Sequence, residues 1–108
     1  MVTTSKSPQP VFKALADPTR REILRLLRAR PLSVGQLAAN FSSSRPAISK
    51  HLRLLRSAGL VATTRRGASH ICRLNPRPLR AVDTWLRDYQ SLWNASLHNL
   101  KHFLEDHP

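Results

Sequence analysis

The chain has 108 residues and a formal net charge of +12, which allows one domain with a thin core that pairing with a second copy would help to cover. Its single cysteine, Cys72, excludes an intrachain disulfide and a thiolate metal cage built by one chain, and fits a reducing cytoplasm. No apolar run approaches the length of a membrane span and the first residues are polar, so neither a membrane-spanning helix nor a signal peptide is expected.

Residues 1–9 read as a flexible tail. A short helix follows, with Val11, Phe12, Leu15 and Ala16 on its apolar side. It stops at Asp17-Pro18, where Asp17 suits an N-cap and Pro18 the first position of a second helix reaching about Ala29. Ile23, Leu26 and Leu27 form the apolar stripe of that helix, with Arg20, Arg21, Arg25 and Arg28 mostly off it. Arg30-Pro31 breaks it. The next start is strongly marked. Ser33 and Gln36 make a capping box, and Leu32 and Leu37 take the staple positions around a short helix from Val34 to Asn40. Phe41-Ser42-Ser43 reads as a turn. Ser44 is the expected N-cap of a fourth helix, 45–57, with Pro46 in its first turn and Ile48, Leu52 and Leu55 facing inward. Gly59 followed by Leu60 predicts a Schellman-type stop.

The period then changes. Val61–Arg66 and His70–Leu74 flank Gly67 as the two strands of a hairpin. Asn75-Pro76-Arg77-Pro78 is a stiff linker. A long helix from Leu79 to Glu105 closes the chain, its stripe formed by Leu79, Val82, Leu86, Tyr89, Trp93, Leu97, Leu100 and Leu104. The expected order is α-α-α-α-β-β-α, a mainly helical chain with a small β-hairpin.

The charge follows this division. Residues 1–80 hold 16 Lys and Arg against 2 Asp and Glu, whereas residues 81–108 hold 2 against 4. One part of the chain is therefore suited to a polyanion and the other to a different task. The helices at 34–40 and 45–57, joined by a tight turn, form a helix-turn-helix pattern whose second helix is basic on its outer face. A recognition helix reads bases from its N-terminal end, which favours Ser44, Arg45, Ser49 and Lys50, with Arg45 suited to bidentate donation to guanine. Ser42 and Ser43 at the helix start suit phosphate, and Arg53 and Arg56 hold the backbone further along. Arg65 and Arg66 at the hairpin tip make it a wing for phosphates or the minor groove. The expected partner is double-stranded DNA.

Three segments together, Phe12–Leu27 (FKALADPTRREILRLL), Leu32–Ala38 (LSVGQLA) and Ser44–Val61 (SRPAISKHLRLLRSAGLV), resemble the ArsR/SmtB group of bacterial repressors. With the wing and last helix, the likeness covers about residues 11–105. It implies a winged helix-turn-helix homodimer, joined through its first and last helices, that binds an imperfect palindrome in promoter DNA. Metal-sensing members carry a Cys-Val-Cys-type motif where this chain has Ser33-Val34-Gly35-Gln36, which offers neither thiolate nor carboxylate. A second family site pairs Asp-x-His with a later His-x-x-Glu or His-x-x-His. His102 and Glu105 match the later half, while Asp88-x-Gln90 lacks the histidine of the earlier half. The implied protein needs no metal and no cofactor.

The last helix carries four of the six aromatic residues, Trp85, Tyr89, Trp93 and Phe103, and more apolar surface than a small core can use. Phe12, Leu15, Val82, Leu86, Tyr89, Trp93, Leu97 and Leu100 are accordingly the expected dimer contacts, and a cavity among the aromatics is a candidate site for a small apolar effector. The expected divisions are a tail at 1–9, a DNA-binding core at 10–76 and a dimerisation helix and tail at 77–108. Location is expected to be cytoplasmic, on the nucleoid when DNA is bound. Competing readings are a metal- or redox-responsive repressor using His98, His102 and Glu105 or Cys72, and an architectural binder relying on charge alone. Cys72 reads first as a small, semi-buried packing residue. No P-loop, metal-ligand triad or Ser/His/Asp set points to an enzyme.

Overall fold

A computed structural model describes residues 8–107; the expected tail falls mostly outside them, and Gln9 already opens the first helix. In chain order the elements are α1 (Gln9–Leu15), α2 (Pro18–Ala29), β1 (Leu32–Ser33), α3 (Val34–Ala38), α4 (Arg45–Ser57), β2 (Val61–Arg66), β3 (Ser69–Leu74), a 3₁₀ turn (Arg77–Leu79) and α5 (Arg80–Asp106).

The helix boundaries are set by local chemistry. The Asp17 carboxylate accepts from the Arg20 backbone N–H at 3.0 Å and starts α2. The capping box at α3 is reciprocal: the Gln36 N–H donates to Ser33 Oγ at 3.0 Å, and the Ser33 N–H donates to Gln36 Oε1 at 2.8 Å. Ser44 Oγ accepts from the Ala47 N–H at the start of α4. At its end, Gly59 takes φ +77°, the Leu60 N–H donates to the Leu55 carbonyl and the Gly59 N–H to that of Arg56, which completes the Schellman motif.

Two features depart from the expected order. Residues 32–33 form a strand that turns the hairpin into a three-stranded sheet, order β1-β3-β2, with Leu32 opposite Cys72 and Ser33 opposite Ile71. Two residues are too few for an alternating pattern, and both also serve the start of α3, so the pairing is visible only once β3 lies alongside. Within the expected linker, the proline-rich run closes into the 3₁₀ turn that leads to α5. Smaller shifts also occur: α3 ends at Ala38 rather than Asn40, and β3 begins at Ser69 rather than His70.

The core joins the helices to the sheet. Ile23, Leu37, Ile48, Leu52, Leu55, Leu60 and Cys72 are fully buried, with Val11, Ala14, Leu24, Leu27, Leu32 and Val61 around them. Cys72 is thus a fully enclosed packing residue, more buried than expected. No residue of α5 is buried, and only Leu79 and Val82 at its base pack against the core.

Candidate nucleic-acid interface

The inward face of α4 is Ile48, Leu52 and Leu55. At 3.6 residues per turn, Arg45, Ser49, Arg53 and Arg56 then share one flank and Lys50 lies outermost. Ser42, Ser43, Ser44, Arg45, Lys50, Arg53 and Arg56 are exposed, and Ser49 is half-buried. The Arg45 guanidinium reaches over α3, within 3.9 Å of where a side chain on Gly35 would begin. Arg56 turns the other way, 3.5 Å from Thr63 Oγ1 on β2, and so spans recognition helix and wing.

The wing separates its two arginines. Side chains alternate along a strand, so Arg65 shares the face of Val61 and Thr63, which meets the core, and Arg66 occupies the opposite one. Arg65 also donates from Nε to the Gly67 carbonyl at 3.1 Å, across a tight turn in which Gly67 has φ +58°. His70 stands directly opposite Arg65 in the ladder and adds a titratable group to the wing that the sequence reading did not single out.

No carboxylate occurs between Glu22 and Asp83, a stretch holding twelve Lys and Arg. Among the described residues the ion pairs are Glu22–Arg25 and Asp83–Arg87, and Asp17 lies 3.8 Å from His51, so none of the basic residues proposed for DNA contact is neutralised within the chain. Their field is directed at solvent, as a phosphate-binding surface requires.

One arginine is used differently. Arg20, expected on the polar side of α2, is 91% buried. Its Nε and Nη2 donate at 2.9 Å to the carbonyls of Ala14 and Lys13, and Nη1 lies 3.2 Å from His51 Nδ1 on α4. Arg21 donates to the Leu15 carbonyl at 2.7 Å, so two consecutive arginines cap the C-terminal end of α1. Nothing in the apolar periodicity marks Arg20 as buried, because its partners come from two other elements, α1 and α4.

α5 projects away from this body. Phe12 of α1 meets Trp85 edge-on at 5.7 Å between ring centres, and Trp85 in turn contacts Tyr89 at 5.0 Å. Beyond that point the apolar face is open: Trp93 is 74% exposed, and Leu86, Leu92, Leu97, Leu100, Phe103 and Leu104 are more than half exposed. Of the expected dimer contacts, Phe12, Leu15 and Val82 are half-buried within the chain, while Leu86, Tyr89, Trp93, Leu97 and Leu100 face solvent. A groove of about 450 Å³ runs among Asp83, Trp85, Leu86, Tyr89, Gln90 and Trp93.

The candidate sensing groups fare differently. His98 and His102 stack edge-on at 4.4 Å on exposed α5, but among the described residues no three His, Cys, Asp or Glu side chains cluster closely enough to hold a metal ion. Burial pushes the Cys72 thiol up from its ordinary pKa, which disfavours the thiolate that sensing chemistry uses. Among the described residues no helix is long and apolar enough to cross a membrane.

Residues 17–63 match the family model described as "Bacterial regulatory protein, arsR family". The chain is 40% identical over 96 residues to the HTH-type transcriptional regulator Rv2034 of Mycobacterium tuberculosis, covering 89% of this chain and 87% of that protein. It is 38% identical over 79 residues to the transcriptional repressor SdpR of Bacillus subtilis, covering 73% of this chain and 88% of the relative. The crystal structure of an ArsR family transcriptional regulator superposes with a TM-score of 0.76 at 35% identity, covering 87% of this chain and 97% of the other. The chain therefore belongs to the arsR family of bacterial regulatory proteins, a DNA-binding transcriptional regulator with a winged helix-turn-helix fold and not an enzyme.

Proposed function

We propose that this regulator is a homodimeric repressor that reads an imperfect palindrome in promoter DNA and needs no metal to do so. The observation that carries the reading is the presence, on one chain, of an un-neutralised basic recognition helix and a separate long helix whose apolar face its own core leaves open. Residues 10–76 act as the DNA-reading unit and 77–108 as the dimerisation unit. Ser44, Arg45, Ser49 and Lys50 meet base edges. Ser42, Ser43, Arg53 and Arg56 hold phosphates, and the opposed Arg65 and Arg66 let the wing grip the backbone from two sides. Leu86, Tyr89, Trp93, Leu97 and Leu100 form the seam, with Phe12, Leu15 and Val82 supporting it from within each chain. Pairing along α5 places two copies of α4 on one face of the duplex, as a half-site spacing of about one DNA turn requires. A relative named as a transcriptional repressor supports repression as the outcome. Metal independence rests on the hydroxyl and amide side chains at Ser33 and Gln36, which suit capping rather than ligation. The groove beside Trp85 and Trp93 is the place for a small apolar effector, and the protein works in the cytoplasm, on the nucleoid when DNA-bound.

The test is binding to the DNA upstream of the protein's own gene and to a scrambled duplex across a salt series. A dimer that neutralises about 8–10 phosphates gives a log–log salt slope of about −7 to −9. Preference for one duplex by roughly 10³-fold at physiological salt supports specific regulation. Equal binding of that promoter, its scramble and a random-sequence pool at every salt concentration refutes it in favour of an architectural role.

A further inference from the structure

The contact between Arg20 and His51 crosses from the scaffold to the recognition helix. Arg20 is held on one side by the carbonyls of Lys13 and Ala14, the last turn of α1. On the other side its Nη1 lies 3.2 Å from His51 Nδ1. His51 follows Lys50 in sequence, but a helical turn of about 100° per residue carries its ring to the flank of α4 opposite Ser49. Its side chain is 24% exposed, turned toward α2 rather than outward with Lys50. A guanidinium can only donate, so Nδ1 must accept, and the ring is neutral with its proton on Nε2. Asp17 Oδ2 lies 3.8 Å from the same Nδ1, too far for a hydrogen bond, and is occupied capping α2. Phe12 of the same α1 packs on Trp85 of α5. The pair thus stands in the line of contacts from α5 to the helix that reads DNA.

We infer that Arg20 and His51 are positioning residues: their hydrogen bond fixes the rotation and tilt of α4 against α1, and thereby sets base-reading affinity without touching DNA. The inference rests on α4 being the reading helix. Nonspecific binding depends on net charge near phosphate and tolerates a tilted helix; base contacts do not, because bidentate pairing needs the side chain in register with one base pair. Loss of the bond should therefore lower affinity for a chosen sequence and leave affinity for a scrambled one alone.

Asparagine and leucine at position 51 separate the bond from the bulk of the ring. They are nearly the same shape, and Asn Oδ1 occupies the place of His Nδ1, whereas Leu offers no acceptor. The full-length wild type, His51→Asn, His51→Leu and Arg20→Lys are each titrated with the tightest duplex that the wild type selects from a random pool, and with its scramble, at one salt concentration. The expected result is that His51→Leu loses about tenfold on the selected duplex. On the scramble it should stay within about twofold of wild type, and His51→Asn should match wild type on both duplexes within about threefold. Arg20→Lys should lose as much as His51→Leu, and the double variant no more than either. The Arg20 variant also carries the test should His51→Leu melt below the assay temperature. Side-chain ¹⁵N NMR of the free protein above pH 8 should find His51 protonated on Nε2. Undiminished selected-duplex binding by His51→Leu, an equal loss in His51→Asn, or a proton on Nδ1 each overturns the proposal. A wild type that selects no sequence refutes the DNA-reading assignment itself, and the Nδ1 measurement still judges the contact separately.

Discussion

Replacing Trp93 with glutamate separates folding from pairing, because the side chain is 74% exposed on a helix with no buried residue. A tryptophan side chain presents roughly 200 Å², so about 150 Å² of Trp93 faces solvent in a single chain. At ~25 cal/mol/Å² covering it is worth about 4 kcal/mol per protomer before association costs are met. Buried aromatic anchors typically lose about 2–4 kcal/mol on truncation, and that is the share expected to be realised here. A homodimer carries the change twice, about 4–8 kcal/mol in all, so the dimer Kd should rise by about 10³- to 10⁶-fold, and further where two carboxylates meet in an apolar seam. The isolated chain should change by less than about 0.5 kcal/mol, since the substitution removes no core contact. Sedimentation velocity at low micromolar concentration reads the first effect and thermal melting the second; operator binding should fall with dimer content. A Trp93→Glu protein that stays dimeric would move the interface elsewhere. One that is unfolded would mean that Trp93 serves the chain's own core.

Three further outcomes follow from the same geometry. Arg45→Ala should cost about 1–3 kcal/mol of operator binding and relax preference at one base position; equal weakening on all sequences would make Arg45 a phosphate contact. The Arg20 backbone N–H, with His51 and Arg20 nearby, holds the Asp17 carboxyl below its ordinary range. Because the folded pKa is lowered, the ionised cap stabilises fully above the unfolded value of about 4 and fades as pH falls through the folded one. The melting temperature gap between wild type and Asp17→Asn should therefore close in acid, and a constant gap from pH 7 to 3 would deny the charge a role. For Cys72 the sign is reversed. Its pKa is raised by burial, so the protein keeps that stabilisation below the unfolded thiol value of about 8.5 and loses it as pH rises through the folded one. Alkylation of Cys72 at pH 7.5 should proceed only as fast as global unfolding, and prompt labelling of the native protein would reopen a sensing role.

What the sequence determined by itself is everything set within one turn of chain. Asp17, Ser33 with Gln36, Ser44 and Gly59 each satisfy backbone groups three to five residues away, so the starts of α2, α3 and α4 and the end of α4 are legible from spacing alone. The basic outer face of α4 follows from its apolar inner one, since a helix with Ile48, Leu52 and Leu55 inside must turn Lys50 and Arg53 out. Only the tertiary structure decided what depends on partners far along the chain. β1 exists because Leu32 meets Cys72, and Arg20 is buried because carbonyls of α1 and an imidazole of α4 surround it. Arg65 and Arg66, adjacent in sequence, part to opposite faces of the wing once β2 pairs with β3. The apolar stripe of α5 is wider than a small core can use and points to a partner surface, but the stripe alone does not say how far the helix leaves its own domain. It reaches out because the short helices and small sheet already close the core, leaving Leu86 through Leu104 no surface of their own chain to cover.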